Sequence, residues 1–231
     1  MSCHPMPAHR ISSQPRQLAL ALDHAESFAR EDLLSGPGNE AALALVDSWP
    51  DWPSRAVALI GPEGSGKTHL ATIWAAAAGA RTVSARSIGK FDIPAMLATG
   101  ALVIEDAGAI ADERALFHLI NLAREEKAGL VLTARTPPST WPVAIPDLAS
   151  RLRAMPLATL TAPDDAMLRA VIVKLAADRQ LPLDESAVGY LSTHIERSFA
   201  AARAAISALD MEALRQKRAP TRALAAELFR E

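Results

Sequence analysis

The chain has 231 residues, 50% of them hydrophobic, and a formal net charge of −2 at pH 7. This length suits one medium domain, or a core domain with a small appendage. The near-neutral charge argues against a protein that coats nucleic acid with a global basic surface. The single cysteine, Cys3, excludes a disulfide within the chain and argues against a zinc site, since structural zinc takes about four ligands. No run of about eighteen apolar residues is present, so we expect a soluble cytoplasmic protein.

The first part of the chain contains few regular patterns before residue 40. Residues 1–16 are rich in Pro, Ser and His and have no apolar run, so we predict a tail that is not a signal peptide. A short apolar island follows at 17–22, and a Gly-Pro-Gly turn lies in 28–39. Apolar residues at helical spacing predict a helix over 40–48, which two prolines in 49–54 end.

From residue 55 onward, short apolar segments alternate with helical patterns. Strands are predicted at 55–60, 81–85, 101–105, 129–133 and 157–161, and helices at 67–78 and 112–127. Short apolar strands alternating with helices indicate a parallel sheet that is covered on both faces. The predicted fold class is therefore α/β, with a parallel five-stranded sheet.

After residue 161 the predicted strands stop and only helices follow. They are predicted at 164–179, 184–196, 198–215 and 221–229, with Asp164, Asp184, Ser198 and Thr221 as N-caps. The chain therefore divides into a tail over 1–25, an α/β core over 26–161 and a small all-helical unit over 162–231.

The strongest motif is the sequence GPEGSGKT, which matches G-x-x-x-x-G-K-[ST] at every defined position. It lies between a predicted strand and a predicted helix, as a phosphate-binding loop requires. Glycines let backbone N–H groups curl around phosphate oxygens, and the helix N-terminus adds partial positive charge. The predicted nucleotide-contacting residues are Gly61, Pro62, Glu63, Gly64, Ser65, Gly66, Lys67, Thr68 and His69. Lys67 is expected to reach the β- and γ-phosphates of ADP or ATP, and Thr68 to bind Mg²⁺.

A phosphate loop of this kind needs a carboxylate at the end of a neighbouring strand to hold the metal. The segment ALVIED over 101–106 supplies two, Glu105 and Asp106. Glu105, the residue after four apolar positions, is the predicted metal ligand beside Thr68. Either carboxylate can face the metal while the other orients a water, so both are candidate catalytic residues.

Four segments together resemble the AAA+ ATPases, and within them the DnaA replication initiators and their short Hda-type homologues. They are FAREDLLSGPGN, GKTHL, LVLTARTPPSTW and DLASRLRAMPLATL. The resemblance implies an adenine-binding segment at 28–39, a strand ending in the polar sensor region at Thr133, and a helical lid over 162–231. It also implies that Arg151 is an arginine finger that acts on the nucleotide of a neighbouring subunit, with Arg153 as the alternative.

The resemblance further implies partners. The peptide QLALAL over 17–22 is similar to the sliding-clamp-binding peptide of Hda, in which Gln17, Leu18, Leu20 and Leu22 would contact the DNA polymerase clamp. No segment resembles the DNA-binding domain of DnaA, so we expect no sequence-specific duplex DNA binding. DnaA is the implied second partner, and a homo-oligomer is left open.

Three departures from the family pattern predict slow hydrolysis. Arg135 aligns with an acidic sensor residue of DnaA, and Glu105 stands where Asp is usual. Ala200, or Ala201 if the register shifts by one, aligns with the lid arginine, although Arg197 and Arg203 flank that position. The resulting hypothesis is an Hda-type regulator with weak ATPase activity at most, which stimulates hydrolysis by DnaA. One alternative is a helicase-loader ATPase of the DnaA/DnaC type. The other is an adaptor without a catalytic role, in which the nucleotide only stabilises the fold.

Overall fold

The computed structural model describes residues 30, 33–52 and 54–230. The whole predicted tail over 1–25, with its clamp-like peptide 17–22, lies outside the described residues.

Five strands form one parallel sheet, as predicted. They are β1 (Ala56–Ile60), β2 (Arg81–Ser84), β3 (Ala101–Glu105), β4 (Gly129–Ala134) and β5 (Leu157–Thr159). Their order across the sheet is β2-β3-β4-β1-β5, and every neighbouring pair is parallel. β4 is buried along its whole length, as expected for a central strand covered on both faces. β5 ends two residues earlier than predicted, so Leu160 and Thr161 belong to the connection that leaves the sheet.

Nine helices occupy the described part of the chain. They are α1 (Glu40–Asp47), α2 (Lys67–Ala78), α3 (Ile93–Met96), α4 (Glu113–Glu125), α5 (Pro146–Ala154), α6 (Asp165–Asp178), α7 (Glu185–His194), α8 (Phe199–Gln216) and α9 (Arg222–Leu228). Short 3₁₀ turns cover Ala85–Lys90, Ala107–Ala109 and Pro138–Thr140. The sequence analysis did not predict α3 or α5, because each has a proline at its start. Proline is tolerated in the first helical turn, although a proline in a sequence usually indicates the end of a helix.

Two apolar clusters cover the two faces of the sheet. On one face α1 and α2 pack through Leu43, Leu70 and Trp74. On the other face the helices α3, α4 and α5 bury their apolar sides, with Leu116 and Leu148 fully enclosed. Because side chains alternate along a strand, Leu59 points to the first cluster and Ala58 to the second.

The stretch after α1 packs into the first cluster through two tryptophans, Trp49 and Trp52. Trp52 stacks on Trp74 with ring centroids 5.3 Å apart, and Trp49 meets both rings edge-on. A Cβ at Gly129 would lie 2.5 Å from the Trp49 ring, so glycine at the start of β4 admits this aromatic packing.

The helices α6–α9 form a separate apolar core that contains Leu168, Leu191, Ile206 and Leu209. Three of the four predicted N-caps function as such: the side chains of Asp164, Asp184 and Ser198 accept hydrogen bonds from the third backbone N–H of their helices. Thr221 occupies the N-cap position of α9, but its side chain makes no capping hydrogen bond. Of the helices in the described residues, none has the length and apolar character that a membrane span requires.

The core of the helical unit can be tested with two leucines of the same helix. Leu209 is 0% exposed and Leu214 is 65% exposed, both on α8. We expect Leu209→Ala to lower the free energy of unfolding by about 2 to 5 kcal/mol, because it leaves a cavity. The matched control Leu214→Ala should lower it by about 0.5 kcal/mol or less. Denaturant titration measures both values, and equal losses would contradict the described packing of α8.

Candidate nucleotide site

The phosphate loop connects the end of β1 to the start of α2, and its backbone requires glycine. Gly64 and Gly66 have φ angles of 72° and 95°, which other residues rarely adopt. The Gly61 N–H donates to the Ala134 carbonyl at 3.1 Å, which anchors the loop to β4. A Cβ at Gly61 would lie 2.3 Å from the Leu160 carbonyl oxygen. The start of the loop therefore lies between β4 on one side and the connection after β5 on the other.

Lys67 begins α2 and folds back over the loop. Its Nζ donates to the Pro62 carbonyl at 2.6 Å. Burial lowers the pKa of Lys67, and the positive charge of Arg135 lowers it further. The carboxylates of Asp106, Glu63 and Glu105 oppose this shift in the Lys67 pKa. Lys67 is thus a partly desolvated cation that lies among several charged groups at the mouth of the loop.

The acidic pair at the end of β3 is held by the neighbouring strand. Asp106 has a φ of 54°, and its N–H donates to the Thr133 hydroxyl at 3.3 Å. Thr133 is buried in β4, beside the strand that carries the loop. Of the three carboxylates that raise the Lys67 pKa, Asp106 has the largest effect. Both Asp106 and the half-buried Glu105 therefore act on the charge of Lys67, and Asp106 acts on it more strongly.

Two hydroxyls of the loop suit a polar ligand. Ser65 is 1% exposed, and its Oγ has no hydrogen-bond partner among the described residues. An unpaired buried hydroxyl is costly, and a polar ligand in the loop would offer it a partner. Thr68 is exposed in the first turn of α2, where a metal can reach it, and His69 is half-buried beside it. The donor set fits an anionic phosphate chain with a hard divalent cation.

A pocket next to the loop lies between the core and the helical unit. Its walls come from the segment before α1, the connection after β5, and the starts of α6 and α8. The lining residues are Pro37, Gly38, Asn39, Thr161, Ala162, Pro163, Asp164, Met167 and Phe199. Asn39 is buried and fixes the first wall, since its side chain accepts from the Gly36 N–H and donates to the Leu34 carbonyl.

The N-terminus of α8 lies directly on the phosphate loop. The Phe199 N–H donates to the Gly64 carbonyl at 3.0 Å. A Cβ at Gly64 would lie 2.3 Å from the Ser198 Cβ, and a Cβ at Gly66 would lie 3.3 Å from the Phe199 ring. The loop, the pocket and the helical unit therefore form one continuous site.

The four candidate arginines lie on different elements and have different surroundings. Arg151, half-buried on α5, lies with its guanidinium 5.4 Å from the Phe117 ring centroid on α4, and Arg153 is exposed. Arg197 pairs with Asp165 at 2.7 Å, which joins the start of α6 to the residue before the Ser198 cap. Ala200 is exposed and Ala201 is half-buried at the start of α8, and Arg203 is half-buried one turn on.

Comparison of the coordinates with solved structures identifies the fold. Domain III of the replication initiation protein DnaA from Thermotoga maritima superimposes with a TM-score of 0.72 at 18% identity, covering 87% of this chain and 95% of that one. AMPPCP-bound DnaA from Aquifex aeolicus gives a TM-score of 0.65 at 19% identity, covering 82% and 68% of the two chains. The chain has the fold of the DnaA AAA+ domain.

The likeness extends to a second AAA+-fold protein. The Holliday junction branch migration motor RuvB of Thermotoga maritima gives a TM-score of 0.61 at 18% identity, covering 74% of this chain and 60% of that one. No protein-family model matches the sequence, and no curated protein is similar to it in sequence.

Sequence reasoning missed the parts of the site that depend on docking of the helical unit. Ser198 was predicted only as an N-cap, yet it also contacts Gly64. Phe199 and Met167 line the pocket, although apolar residues in the first turn of a helix carry no signal of ligand contact. Packing of α8 on the loop brings these positions together, and no local sequence pattern marks that packing.

The contact between loop and lid can be tested by adding one methyl group. Gly64 and Gly100 have similar φ angles, 72° and 76°, but a Cβ at Gly100 meets nothing within 4 Å. We expect Gly100→Ala to cost only backbone strain, about 1 to 2 kcal/mol. Gly64→Ala should cost more and should also push Ser198 away, so limited proteolysis should cleave the 160–164 connection faster. Equal stability losses and equal cleavage rates would contradict a lid that lies on the loop.

Proposed function

We propose that this chain is a nucleotide-binding AAA+ regulator of chromosomal replication initiation. The observation that carries the proposal is the phosphate loop held between Ala134, Leu160 and Ser198 in a fold that matches domain III of DnaA. A DnaA of this fold is known in an AMPPCP-bound form. The proposed ligand of this chain is ADP or ATP with Mg²⁺.

Each part of the ligand has a candidate set of contacts. Backbone N–H groups of the loop and the Lys67 ammonium group would hold the phosphates, because Lys67 needs only to leave the Pro62 carbonyl to reach them. Thr68 would hold the metal together with Glu105 or Asp106, the two carboxylates at the end of β3. The apolar walls formed by Met167 and Phe199 suit the adenine base.

The charges around the loop support slow hydrolysis by the chain itself. Fast phosphoryl transfer needs positive charge on the transferring group and an ordered water. Ala200 has no charge to offer, and Arg197 is already paired with Asp165. The polar sensor region presents Arg135, which is also paired, with Glu63. We therefore propose weak turnover and a site held mainly with ADP.

The proposed action on DnaA uses Arg151. Its stacking on Phe117 places the guanidinium on the side of the sheet covered by α4, away from α2. An arginine held there is suited to contact the nucleotide of a neighbouring subunit. We propose that Arg151 contacts the nucleotide of DnaA, and that Gln17, Leu18, Leu20 and Leu22 attach the chain to the sliding clamp.

Nucleotide binding can be tested at Lys67. We expect Lys67→Ala to weaken binding of ADP and ATP by roughly 10- to 100-fold or more, because a charge-assisted hydrogen bond to phosphate is lost. The exposed Lys90→Ala is a control of the same type and should leave affinity unchanged. Calorimetric titration measures both. Equal affinity in the wild type and in Lys67→Ala would refute the assignment of the loop.

The regulatory role can be tested by the hydrolysis of ATP bound to DnaA in the presence of the clamp loaded on DNA. Arg151→Ala should bind nucleotide and clamp normally but lose most of the stimulation, since an arginine finger contributes roughly 10³- to 10⁵-fold. Arg153→Ala is the matched control and should remain active. Replacing Gln17, Leu20 and Leu22 with Ala should instead abolish clamp binding.

The outcomes of this assay separate the hypotheses. Full stimulation by Arg151→Ala would show that Arg151 is not the finger, and loss with Arg153→Ala alone would move that role to Arg153. Brisk ATP hydrolysis by the isolated chain, with no effect on DnaA, would favour the helicase-loader function instead.

A further inference from the structure

The helix that carries Arg151 begins without a cap of its own. The N-cap residue of α5 is the apolar Ile145, which makes no side-chain capping hydrogen bond, and Pro146, the first helical residue, has no N–H. The N–H groups at the start of a helix have no partners within the helix. The start of α5 therefore depends on an acceptor from another part of the chain.

Glu113, the first residue of α4, supplies that acceptor. The Ala144 N–H donates to both carboxylate oxygens of Glu113, at 2.9 and 3.1 Å, and the Ile145 N–H donates to Oε2 at 3.0 Å. Hydrogen bonds to a charged acceptor are stronger than neutral ones, and a negative charge at a helix N-terminus is favourable. The half-buried Glu113 side chain therefore fastens the segment that leads into α5 to the start of α4.

A second contact between the same two helices lies one turn farther along α4. The guanidinium carbon of Arg151 lies 5.4 Å from the Phe117 ring centroid. Phe117 follows Glu113 by one helical turn, so both side chains lie on one face of α4. Arg151 is only the sixth residue of α5, so a displacement of the helix start would move its guanidinium across the Phe117 ring.

We propose that Glu113 is a positioning residue for Arg151. Its carboxylate fixes the start of α5, and the Phe117 ring then holds the guanidinium at one level of α4. Glu113 contacts no nucleotide in this arrangement and acts only through the backbone of the segment before α5. This inference rests on the proposed function, since it takes Arg151 as the residue that contacts the nucleotide of DnaA.

The test is the rate of hydrolysis of ATP bound to DnaA, measured against the concentration of the full chain with the clamp loaded on DNA. Glu113→Ala should lower the maximal rate by roughly 10- to 100-fold, because a small misplacement of a catalytic group can cost that much. The concentration that gives half of the maximal rate should change by about twofold or less, since attachment to the partners is intact. Glu113→Gln keeps one oxygen acceptor, so its maximal rate should fall between those of the wild type and Glu113→Ala. Glu125→Ala, which replaces an exposed glutamate at the other end of α4, is the control and should keep the full rate.

Phe117 supplies the second arm of the test. Phe117→Leu removes the ring face and should lower the maximal rate by roughly 2- to 30-fold, the range that a cation–π contact of this kind is worth. Phe117→Tyr keeps the ring face and should keep the maximal rate within about twofold of the wild type. Equal losses in the two variants would contradict a guanidinium that the ring orients.

The outcomes separate this inference from the function on which it rests. No stimulation by the wild type, or full stimulation by Arg151→Ala, would overturn the proposed function and this inference with it. Loss of stimulation in Arg151→Ala, with an unchanged maximal rate in Glu113→Ala, would overturn the inference alone. A loss in Glu113→Ala that appears only as a higher half-maximal concentration would overturn it too, because Glu113 would then serve attachment.

Thermal unfolding and ADP binding of each variant show whether the fold and the chain's own nucleotide site are intact, and we expect ADP binding to stay unchanged. If Glu113→Ala does not fold, Glu113→Gln and the two Phe117 variants carry the comparison.

Discussion

The packing of the sheet against the helical unit depends on close contacts around the phosphate loop. Leu160 closes one side of Gly61, Ser198 lies against Gly64, and the Phe199 ring covers Gly66. Because these neighbours come from the connection after β5 and from α8, the loop joins the sheet to the helical unit. A shift of the loop therefore displaces the lid, and a shift of the lid deforms the loop. Close packing of this kind transmits small movements instead of absorbing them.

The charged side chains of the site also lie around the phosphate loop. Two cations and three carboxylates lie near the loop, and the pKa of Lys67 responds to Arg135 and to each of the acidic groups. Burial opposes the charged form of Lys67, so a nearby anion would stabilise the ammonium group. A phosphate in the loop would be such an anion.

The sequence predicted those features that depend only on residues a few positions apart. The five strands, the turn at Gly64 and Gly66, and the caps at Asp164 and Asp184 all follow from patterns a few residues long. The helix α5 was missed because Pro146 begins it, and proline signals a helix start only when the following turns are known to be helical. The pocket and the Arg135–Glu63 pair join distant segments, so only the packed structure brings them together. The clamp-like peptide stays a prediction, since it lies outside the described residues.

The two arginines that matter most to the proposed function have opposite surroundings. Arg135 is bound to a carboxylate of its own loop, whereas the described contact of Arg151 is the face of the Phe117 ring on α4. A carboxylate partner competes with phosphate for a guanidinium group, but an aromatic ring does not, because it leaves the N–H donors at the edge of the guanidinium unused. The described contact of Arg151 therefore leaves its N–H donors for the neighbouring nucleotide of the proposed function, whereas Arg135 would have to leave Glu63 before it could bind another anion.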